Sequence, residues 1–509
     1  MDMLRLVLVC AIALGCSTCP ATVAIDDSPD RVRTSLRVDM RRVGTIRPVS
    51  SREARPSAWT LNCTPYDRHF GEYAQHRDYI PALGIRKFRL LGGWARCERE
   101  RGKYDFAWID EVVDGNAANG IETILETDYG NPIYPGGGGW DLAGGFPTGE
   151  EALSAWDRWV EALALHFKGR VREWAMWNEP DIANPAAPQG EPSSKTPAQI
   201  AAFNVRTARI IRRIIPDASI GALSLASAQP PYVEDCLREL VAAGGGGGLF
   251  DYVIYHGYWA APEGVYGNVD RIRELVGKYL PGAGLRQGEN GCASELATRF
   301  ALGGICWSEF SQAKWNLRRM MGDHGRNIDS TVFAIADYNH LGREMNRKGL
   351  LRANADNEVI AVKRAFYAVQ NAVSVFDDAL RPVPSPGITN VDVTVALQEY
   401  RTDEDAPVYV YWKYGNPVRH GKGNGRYCTT DPVEPGDSFD TVPTVFDISR
   451  GEPLKSPLWV DLLTGGVYEL PEAAQIVHSR GVSLVDIPLY DSPCLICERR
   501  ALSGKVVWR

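Results

Sequence analysis

Two glutamates in this sequence lie in short polar motifs, and each motif stands at the end of a strand-like run of residues. Glu179 belongs to the motif WNEP (177–180), and Glu289 belongs to the motif GENG (288–291). Two carboxyl groups that face each other, one protonated and one ionised, have the chemistry needed to cleave a glycosidic bond. If the bond is cleaved with retention of configuration, we expect the two carboxyl groups to lie about 5–5.5 Å apart.

Two other carboxylates compete for these positions. Glu173 lies six residues before Glu179, so an extended strand would separate the two by about 20 Å. Glu295 lies six residues after Glu289, in the segment beyond the strand-like run. We favour Glu289 over Glu295 because Glu289 directly ends its run, and we expect Glu173, at the opposite end of its strand from Glu179, to have a structural role.

The elements that must position these glutamates alternate between apolar runs and amphipathic helical patterns. This alternation predicts an α/β fold in which residues 51–378 form a (β/α)8 TIM barrel. An open doubly wound sheet is the alternative, but it usually has a glycine-rich turn after its first strand, and NCTP (62–65) is not one. The predicted strands are 59–63, 86–91, 121–127, 171–177, 219–225, 250–256, 285–289 and 330–337, and the predicted helices include 154–168, 197–215, 269–280, 308–323 and 360–376. Because the active site of such a barrel forms at the C-terminal ends of its strands, both motifs should meet at one rim.

The pattern changes after about residue 380. Short alternating runs separated by Gly, Pro and Asp predict that residues 381–509 form an antiparallel β-sandwich domain. The segment 35–48 is predicted to supply a further strand to this domain. Trp412 and Trp459 are candidate anchors in its core or at its interface with the barrel.

Composition and the N-terminus limit the classes of protein that this chain can belong to. Its 509 residues carry 56 Lys and Arg against 63 Asp and Glu, and 44% of the residues are hydrophobic. This balance excludes an intrinsically disordered protein and argues against a nucleic-acid partner. The apolar run 6–14 predicts a signal peptide over residues 1–24 and a secreted or periplasmic protein, with a lipid anchor at Cys16 as the alternative. No segment is long and apolar enough to predict an integral membrane helix.

The motifs resemble those of glycoside hydrolase clan A. The Asn-Glu-Pro at the end of the predicted fourth strand and the glutamate at the end of the seventh carry this resemblance, together with Arg89 and the segment HGY (256–258). The stretch 93–114 is similar to the pattern of family 39, which contains β-xylosidases and α-L-iduronidases. Many clan members have a tryptophan after the eighth strand, whereas this chain has DYNH (337–340), so the sugar stays open.

The resemblance implies a role for each residue near the two glutamates. Glu179 would be the general acid/base and Glu289 the nucleophile. Asn178 would bind the 2-hydroxyl of the sugar, while Arg89 and Tyr258 would stabilise the charged form of Glu289.

Six further residues are candidates for substrate binding. Trp94 and Trp259 are candidates to stack on a sugar ring, with a purely structural role as the alternative. Asn131 is a candidate to bind sugar hydroxyls, and His256 to bind a hydroxyl or to orient Tyr258. Tyr338 and Asn339 lie where the clan's subsite tryptophan would be. We expect no metal and no cofactor.

The resulting hypothesis is a secreted retaining exo-glycosidase that removes terminal sugars from plant or microbial oligosaccharides or polysaccharides. Long segments after the predicted strands, at 131–153, 181–196 and 292–307, should turn a cleft into a pocket and so favour attack at chain ends. The alternatives are an endo-glycanase of the same clan and a non-catalytic carbohydrate-binding protein. The sequence does not indicate the oligomeric state.

Overall fold

The computed structural model describes residues 23–34, 38–142, 144–182, 195–340, 342, 344–384, 388–389, 395–414, 444–448, 452–479 and 481–509. The predicted signal peptide and Cys16 therefore lie outside the described residues, except for residues 23 and 24.

Eight parallel strands form a closed barrel, as the sequence predicts. The first strand of the chain, β1 (Arg42–Ile46), lies elsewhere, and the next eight make up the barrel: β2 (Trp59–Asn62), β3 (Lys87–Leu91), β4 (Glu122–Thr127), β5 (Glu173–Met176), β6 (Ser219–Leu225), β7 (Tyr252–Tyr255), β8 (Gly284–Gln287) and β9 (Ser330–Val332). Each strand pairs with the next from β2 to β8, and β9 pairs with β2. The remaining seam closes where the Asn290 N–H donates to Thr331 O (3.2 Å) and the Phe333 N–H donates to Asn290 O (2.9 Å). The predicted (β/α)8 barrel is therefore confirmed.

The helices follow the predicted amphipathic pattern. In α4, the residues that face the barrel, among them Ala155, Trp156, Trp159 and Leu163, recur at helical spacing and are fully buried. The helices are α1 (Tyr73–His76), α2 (Trp94–Cys97), α3 (Ala107–Ala117), α4 (Glu150–Phe167), α5 (Pro197–Ile214), α6 (Pro230–Ala242), α7 (Tyr266–Tyr279), α8 (Glu309–His324) and α9 (Arg364–Val375). Among the described residues, no helix has the length and apolar character needed to cross a bilayer.

The loop after β9 contains two small antiparallel hairpins. The first pairs β10 (Tyr338–His340) with β11 (Glu344–Asn346), and the second pairs β12 (Leu351–Ala353) with β13 (Val359–Val362). These hairpins build up the barrel rim next to the end of β9.

The C-terminal part forms antiparallel sheets, as predicted, and β1 joins them. One sheet has the order β14 (Arg381–Val383), β16 (Val395–Arg401), β17 (Pro407–Lys413), β23 (Cys494–Glu498), β19 (Pro457–Asp461), β20 (Gly466–Glu469), β1 and β24 (Val506–Trp508). A second sheet has the order β15 (Ile388–Thr389), β18 (Thr444–Ile448), β22 (Gly481–Ile487) and β21 (Gln475–His478). Leu484 of β22 and Leu458 of β19 are both buried, and both belong to the large hydrophobic cluster that also includes the barrel core.

The larger sheet contacts the barrel through buried charged groups. Helix α8 is buried along residues 310–324, and its Lys314 forms an ion pair with Asp491 (2.6 Å). Glu263, in the loop after β7, accepts hydrogen bonds from Arg318 Nε of α8 and from Trp412 Nε1 of β17, both at 2.6 Å. Trp412 is therefore an interface anchor.

We expect Glu263→Gln to reduce the free energy of unfolding by about 3 kcal/mol, because it removes the charge of the carboxylate that pairs with the buried guanidinium of Arg318. Chemical denaturation followed by tryptophan fluorescence measures the change. Glu274→Gln is the matched control, since its partner Arg271 is exposed, and it should cost no more than about 0.5 kcal/mol. Equal effects of the two substitutions would show that the buried pair does not stabilise the domain interface.

Candidate active site

A pocket of about 440 Å³ opens at the C-terminal ends of the barrel strands. Glu179 and Glu289 both line it, as do Asn178, Tyr258, Trp259 and Tyr338. Each of the three long loops noted in the sequence contributes to the walls: Leu142 comes from the first, Ile182 from the second, and Phe300 and Ala301 from the third. This size is typical of a site for a small organic molecule.

The backbone that carries Glu179 turns sharply as it leaves β5. Trp177 has a φ of 56° and Glu179 a φ of 46°, which is the left-handed region that non-glycine residues rarely adopt. Such a conformation costs about 1–3 kcal/mol for each residue and persists only where its surroundings impose it. Here the Trp177 N–H donates to Thr127 O (3.0 Å) and the Glu179 N–H donates to Ser224 O (2.9 Å). The two neighbouring strands thus hold the turn on both sides.

Glu289 lies at the seam that closes the barrel. The residue before it must be small, because a Cβ atom on Gly288 would lie 2.2 Å from Ile254 Cγ2. The residue after it, Asn290, makes the backbone hydrogen bonds that join the end of β8 to β9. Glu289 is therefore placed by backbone on both sides.

The two glutamates face each other within the pocket. A carboxylate oxygen of Glu179, a carboxylate oxygen of Glu289 and a ring nitrogen of His256 all lie within 4.8 Å of one another. His256 Nδ1 is hydrogen bonded to Glu179 Oε1 (2.8 Å). The structure therefore brings together the two glutamates and the histidine that the sequence singled out.

Three donors bind the Glu289 carboxylate. Arg89 donates from Nη1 to Oε2 (2.8 Å), Tyr258 donates from its hydroxyl to Oε1 (2.8 Å), and Asn62 Nδ2 donates to Oε2 (3.4 Å). Burial and the charges of both glutamates raise the pKa of Tyr258, so its hydroxyl stays protonated and remains a donor.

The pKa values of the two glutamates shift in opposite directions. Burial raises the pKa of Glu179, and the negative charge of Glu289 adds to this effect, although the hydrogen bond to His256 opposes it. Burial also acts to raise the pKa of Glu289, but His256, Arg89 and Tyr258 outweigh it, and the net shift is downwards. One carboxyl group is thus favoured in its protonated form and the other as the anion.

Arg89 connects these groups to the interior of the barrel. Besides its bond to Glu289, it donates from Nε to Glu126 Oε2 (2.6 Å) and from Nη2 to Asn178 Oδ1 (2.6 Å). Asn178 in turn donates from Nδ2 to the Tyr129 hydroxyl (2.8 Å). Arg89 and His256 lie behind the pocket surface and act on it through the two glutamates and Asn178.

Glu179, His256 and Glu289 also carry the atom types that bind divalent metal ions. Two observations favour a carboxylate pair instead. Glu179 and His256 are hydrogen bonded to each other, and Glu289 already forms an ion pair with the Arg89 guanidinium. A metal ion between the carboxylates would lie beside that guanidinium, and like charges repel.

Three predicted binding residues lie away from the pocket. Trp94 is fully buried, donates to Glu98 Oε2 (2.5 Å) and stacks on Tyr134, so it has no free face for a sugar. The Asn131 side chain is buried and donates to Glu98 O (2.7 Å), and the Asn339 side chain donates to Ala355 O (3.0 Å). These side chains hold loops in place, which corrects the predictions for Asn131 and Asn339 and, for Trp94, agrees with the structural role that the sequence left as the alternative.

Other predicted residues do reach the pocket. The Trp259 side chain is 39% exposed and lines one wall. Tyr338 lines another wall, where its hydroxyl accepts a hydrogen bond from Asn346 Nδ2 (2.9 Å).

Two charged residues near the site were missed from the sequence. Lys348 lines the pocket, and burial lowers its pKa to about 8, against the opposing charges of the two glutamates. It lies in the loop after β9, where no motif marks it. Glu126 is the next-to-last residue of β4, and no motif in the sequence marks it as part of the site.

Comparisons with known proteins agree with this fold. The family model described as beta-galactosidase, of glycoside hydrolase family 42, matches residues 78–135. No curated protein matches this chain. A family 39 glycoside hydrolase from Bacteroides cellulosilyticus WH2 is similar in structure, with a TM-score of 0.61 and 16% identity over 89% of this chain and 83% of that one.

Two further solved structures are similar. A monomeric beta-xylosidase from Caulobacter crescentus CB15 has a TM-score of 0.57 and 19% identity, covering 90% of this chain and 98% of its own. The catalytic domain of GH30 xylanase C from Talaromyces cellulolyticus has a TM-score of 0.50 and 10% identity, covering 89% and 98%. The fold that the resemblance to family 39 implied is thereby confirmed.

We expect the two glutamates to titrate on opposite sides of the ordinary glutamate value, with Glu289 ionising below it and Glu179 above it. A pH titration of ¹³C-labelled glutamate carboxyl groups by NMR measures both, and Glu179→Gln and Glu289→Gln assign the signals. In Glu289→Gln the pKa of Glu179 should fall, because a neighbouring negative charge is gone. Coincident titration of both groups would contradict the electrostatic difference described above.

Proposed function

We propose that this protein is a retaining exo-glycosidase that hydrolyses terminal glycosidic bonds of oligosaccharides or polysaccharides by double displacement. The observation that carries the proposal is the pair of Glu179 and Glu289. A carboxylate oxygen of one lies within 4.8 Å of a carboxylate oxygen of the other, and their pKa values are shifted in opposite directions. Retaining enzymes place their carboxyl groups about 5–5.5 Å apart, whereas inverting enzymes need about 6.5–9.5 Å to admit a water molecule. The close approach supports retention.

In the first step the Glu289 carboxylate attacks the anomeric carbon, and the bond between this carbon and the leaving-group oxygen breaks. The electron pair leaves with that oxygen, which takes the proton of Glu179, and a glycosyl ester forms on Glu289. In the second step Glu179, now ionised, takes a proton from water as the water attacks the same carbon. The ester bond breaks, and both glutamates return to their starting states.

The neighbouring polar groups support these roles. Arg89 and Tyr258 stabilise the Glu289 carboxylate before attack and after its release. The side chain of Asn178, held between Arg89 and Tyr129, lines the pocket and can bind a sugar hydroxyl beside the reacting carbon. Interactions with the 2-hydroxyl strengthen in the oxocarbenium-like transition state and lower the barrier.

The shape of the site favours exo over endo attack. Loops after several strands enclose the pocket, and Phe300, Leu142 and Trp259 form walls that a long chain would have to cross. The similar beta-xylosidase from Caulobacter crescentus supports a substrate such as a terminal xyloside, while the similar GH30 xylanase is the model for the endo alternative. A carbohydrate-binding protein without activity is a weaker proposal, because binding alone does not require one protonated and one ionised carboxyl group facing each other.

We further propose that the protein is exported, as a secreted or periplasmic enzyme or one anchored through Cys16. The support for this is the N-terminal sequence, whose apolar run over residues 6–14 is the length of a signal-peptide core.

The direct test measures release of nitrophenol from 4-nitrophenyl xylosides, galactosides, glucosides, arabinosides and glucuronides. We expect one of them to be hydrolysed with retention, as seen by NMR of the first-formed anomer. Glu289→Gln should abolish the activity and Glu179→Gln should reduce it by about 10²–10⁴-fold on substrates with poor leaving groups. Glu295→Gln is the matched control and should stay active, because Glu295 forms ion pairs with Arg347 and Arg352 and contacts neither Glu179 nor Glu289.

Chain-end attack is tested on an unlabelled oligosaccharide of the accepted sugar. An exo-enzyme releases the monosaccharide as its first product, whereas larger fragments would favour the endo alternative. Inversion of configuration would contradict double displacement, and binding of sugar without any hydrolysis would support the non-catalytic alternative.

The two glutamates should also respond differently to azide. With a 2,4-dinitrophenyl glycoside, Glu179→Ala should still form the glycosyl-enzyme, since this leaving group needs little protonation, but should lack the base for the second step. Azide needs no deprotonation, so it should restore turnover and give a glycosyl azide of retained configuration. Glu289→Ala should give only an inverted azide, if any. Interchanged behaviour would reverse the two assigned roles.

A further inference from the structure

Arg89 is held at three corners by groups from three different strands or strand ends. Nε donates to Glu126 of β4, Nη1 donates to Glu289 after β8, and Nη2 donates to Asn178 after β5. Arg89 is 3% exposed, so its guanidinium plane has no room to turn away from these partners. The direction in which Arg89 meets Glu289 is therefore set partly by Glu126.

Glu126 is fully buried and lies on β4 below the pocket, which it does not line. Within the part of the chain that the structure describes, its Oε1 atom has no hydrogen-bond partner, so its contact with Arg89 is its main polar interaction. Burial raises the pKa of Glu126, while the positive charges of Arg89 and His256 oppose this. Apolar residues usually occupy such a position, so a buried carboxylate needs an explanation.

We propose that Glu126 is a positioning residue that controls how strongly Arg89 binds the nucleophile. When Glu289 attacks, its negative charge is lost in the glycosyl ester, and Arg89 loses an ionic partner. Glu126 keeps the guanidinium paired throughout the reaction, so that loss of the Glu289 charge does not leave a buried cation unpaired. Interactions that are equally strong before and after attack do not add to the barrier. This inference rests on the proposed function, since it assumes that Glu289 is the nucleophile.

Replacing Glu126 by Gln should therefore have two linked effects. In this variant Glu289 would be the only carboxylate paired with Arg89. The Glu289 carboxylate would then be a weaker nucleophile, and its pKa would be lowered further. Formation of the glycosyl-enzyme should slow, by up to about 10²-fold if the guanidinium also shifts. The acidic limb of the profile of kcat/KM against pH should move to lower pH.

Other groups also face Glu289 and influence this limb. The titratable and charged groups among them are Arg89 on β3, Glu126 on β4, Glu179 after β5, His256 and Tyr258 after β7, Tyr338 on β10, and Lys348 between β11 and β12. Since Glu126→Gln leaves all the others in place, a shift of the acidic limb reports on the Arg89–Glu126 interaction.

The experiment compares full-length wild type, Glu126→Gln, Glu126→Asp and Glu173→Gln. Glu173→Gln is the matched control: Glu173 is also a buried barrel glutamate, but its ion pairs with Lys87 and Arg286 lie at the lower end of β5. The readouts are the pH profile of kcat/KM and the rate of covalent labelling by 2,4-dinitrophenyl 2-deoxy-2-fluoro-β-D-xyloside, followed by intact mass. If the wild type prefers another sugar, the corresponding fluoroglycoside is used.

We expect Glu126→Gln to be labelled about 10–10²-fold more slowly with its acidic limb moved to lower pH, and Glu126→Asp to be intermediate. Glu173→Gln should lower the melting temperature without moving the limb. A wild-type profile and labelling rate in Glu126→Gln would overturn the inference. If that variant does not fold, Glu126→Asp decides, and wild-type behaviour there would overturn it equally. No labelling of the wild type by any fluoroglycoside would instead contradict the proposed function.

Discussion

A buried guanidinium beneath an open pocket is the interaction on which the rest of this site depends. Removing such an ion from water costs several kcal/mol, and short, well-directed hydrogen bonds to charged partners must offset this desolvation energy. Arg89 meets this requirement with Glu126, Glu289 and Asn178. Because these partners come from separate strands, the guanidinium can form all three interactions only when β3, β4, β5 and the end of β8 are in their correct register. The strand register of the barrel therefore also determines whether Arg89 has its partners.

The opposite shifts of the two glutamates follow from this arrangement. Both carboxyl groups are buried, and burial alone would make both of them weak acids. His256 lowers the pKa of both carboxyl groups, but Glu289 also has Arg89 and the Tyr258 hydroxyl, whereas Glu179 faces the negative charge of Glu289. The additional donors on Glu289, rather than a difference in depth, separate the acid from the anion.

The backbone is conformationally strained where it positions Glu179. The turn at Trp177 and Glu179 has two residues with positive φ, and backbone hydrogen bonds from the neighbouring strands hold it. At the other glutamate, Gly288 allows close approach to Ile254, and Asn290 continues the seam. Strain of this kind persists where tertiary structure imposes it and fixes the direction of a side chain. The barrel imposes this backbone strain. Buried ion pairs such as that of Lys314 with Asp491 join the C-terminal domain to the barrel.

The sequence by itself determined the elements and the residues at their ends. Hydrophobic patterning located seven strands and the flanking helices to within four residues, because burial on both faces leaves largely apolar runs. The eighth predicted strand, 330–337, is shorter in the structure and ends at residue 332. Since parallel strands end at one rim, Glu179, Glu289 and Tyr258 could be placed there from their motifs. Tertiary structure decided the rest. Trp94 and Asn131 also follow strands, but their side chains turn into the packing between loops, and a linear pattern contains no side-chain direction in irregular segments. Lys348 reaches the pocket from the irregular segment between β11 and β12, and Glu126 matters only because Arg89 lies beside it. Neither could be recognised before the folded chain brought these residues to the site.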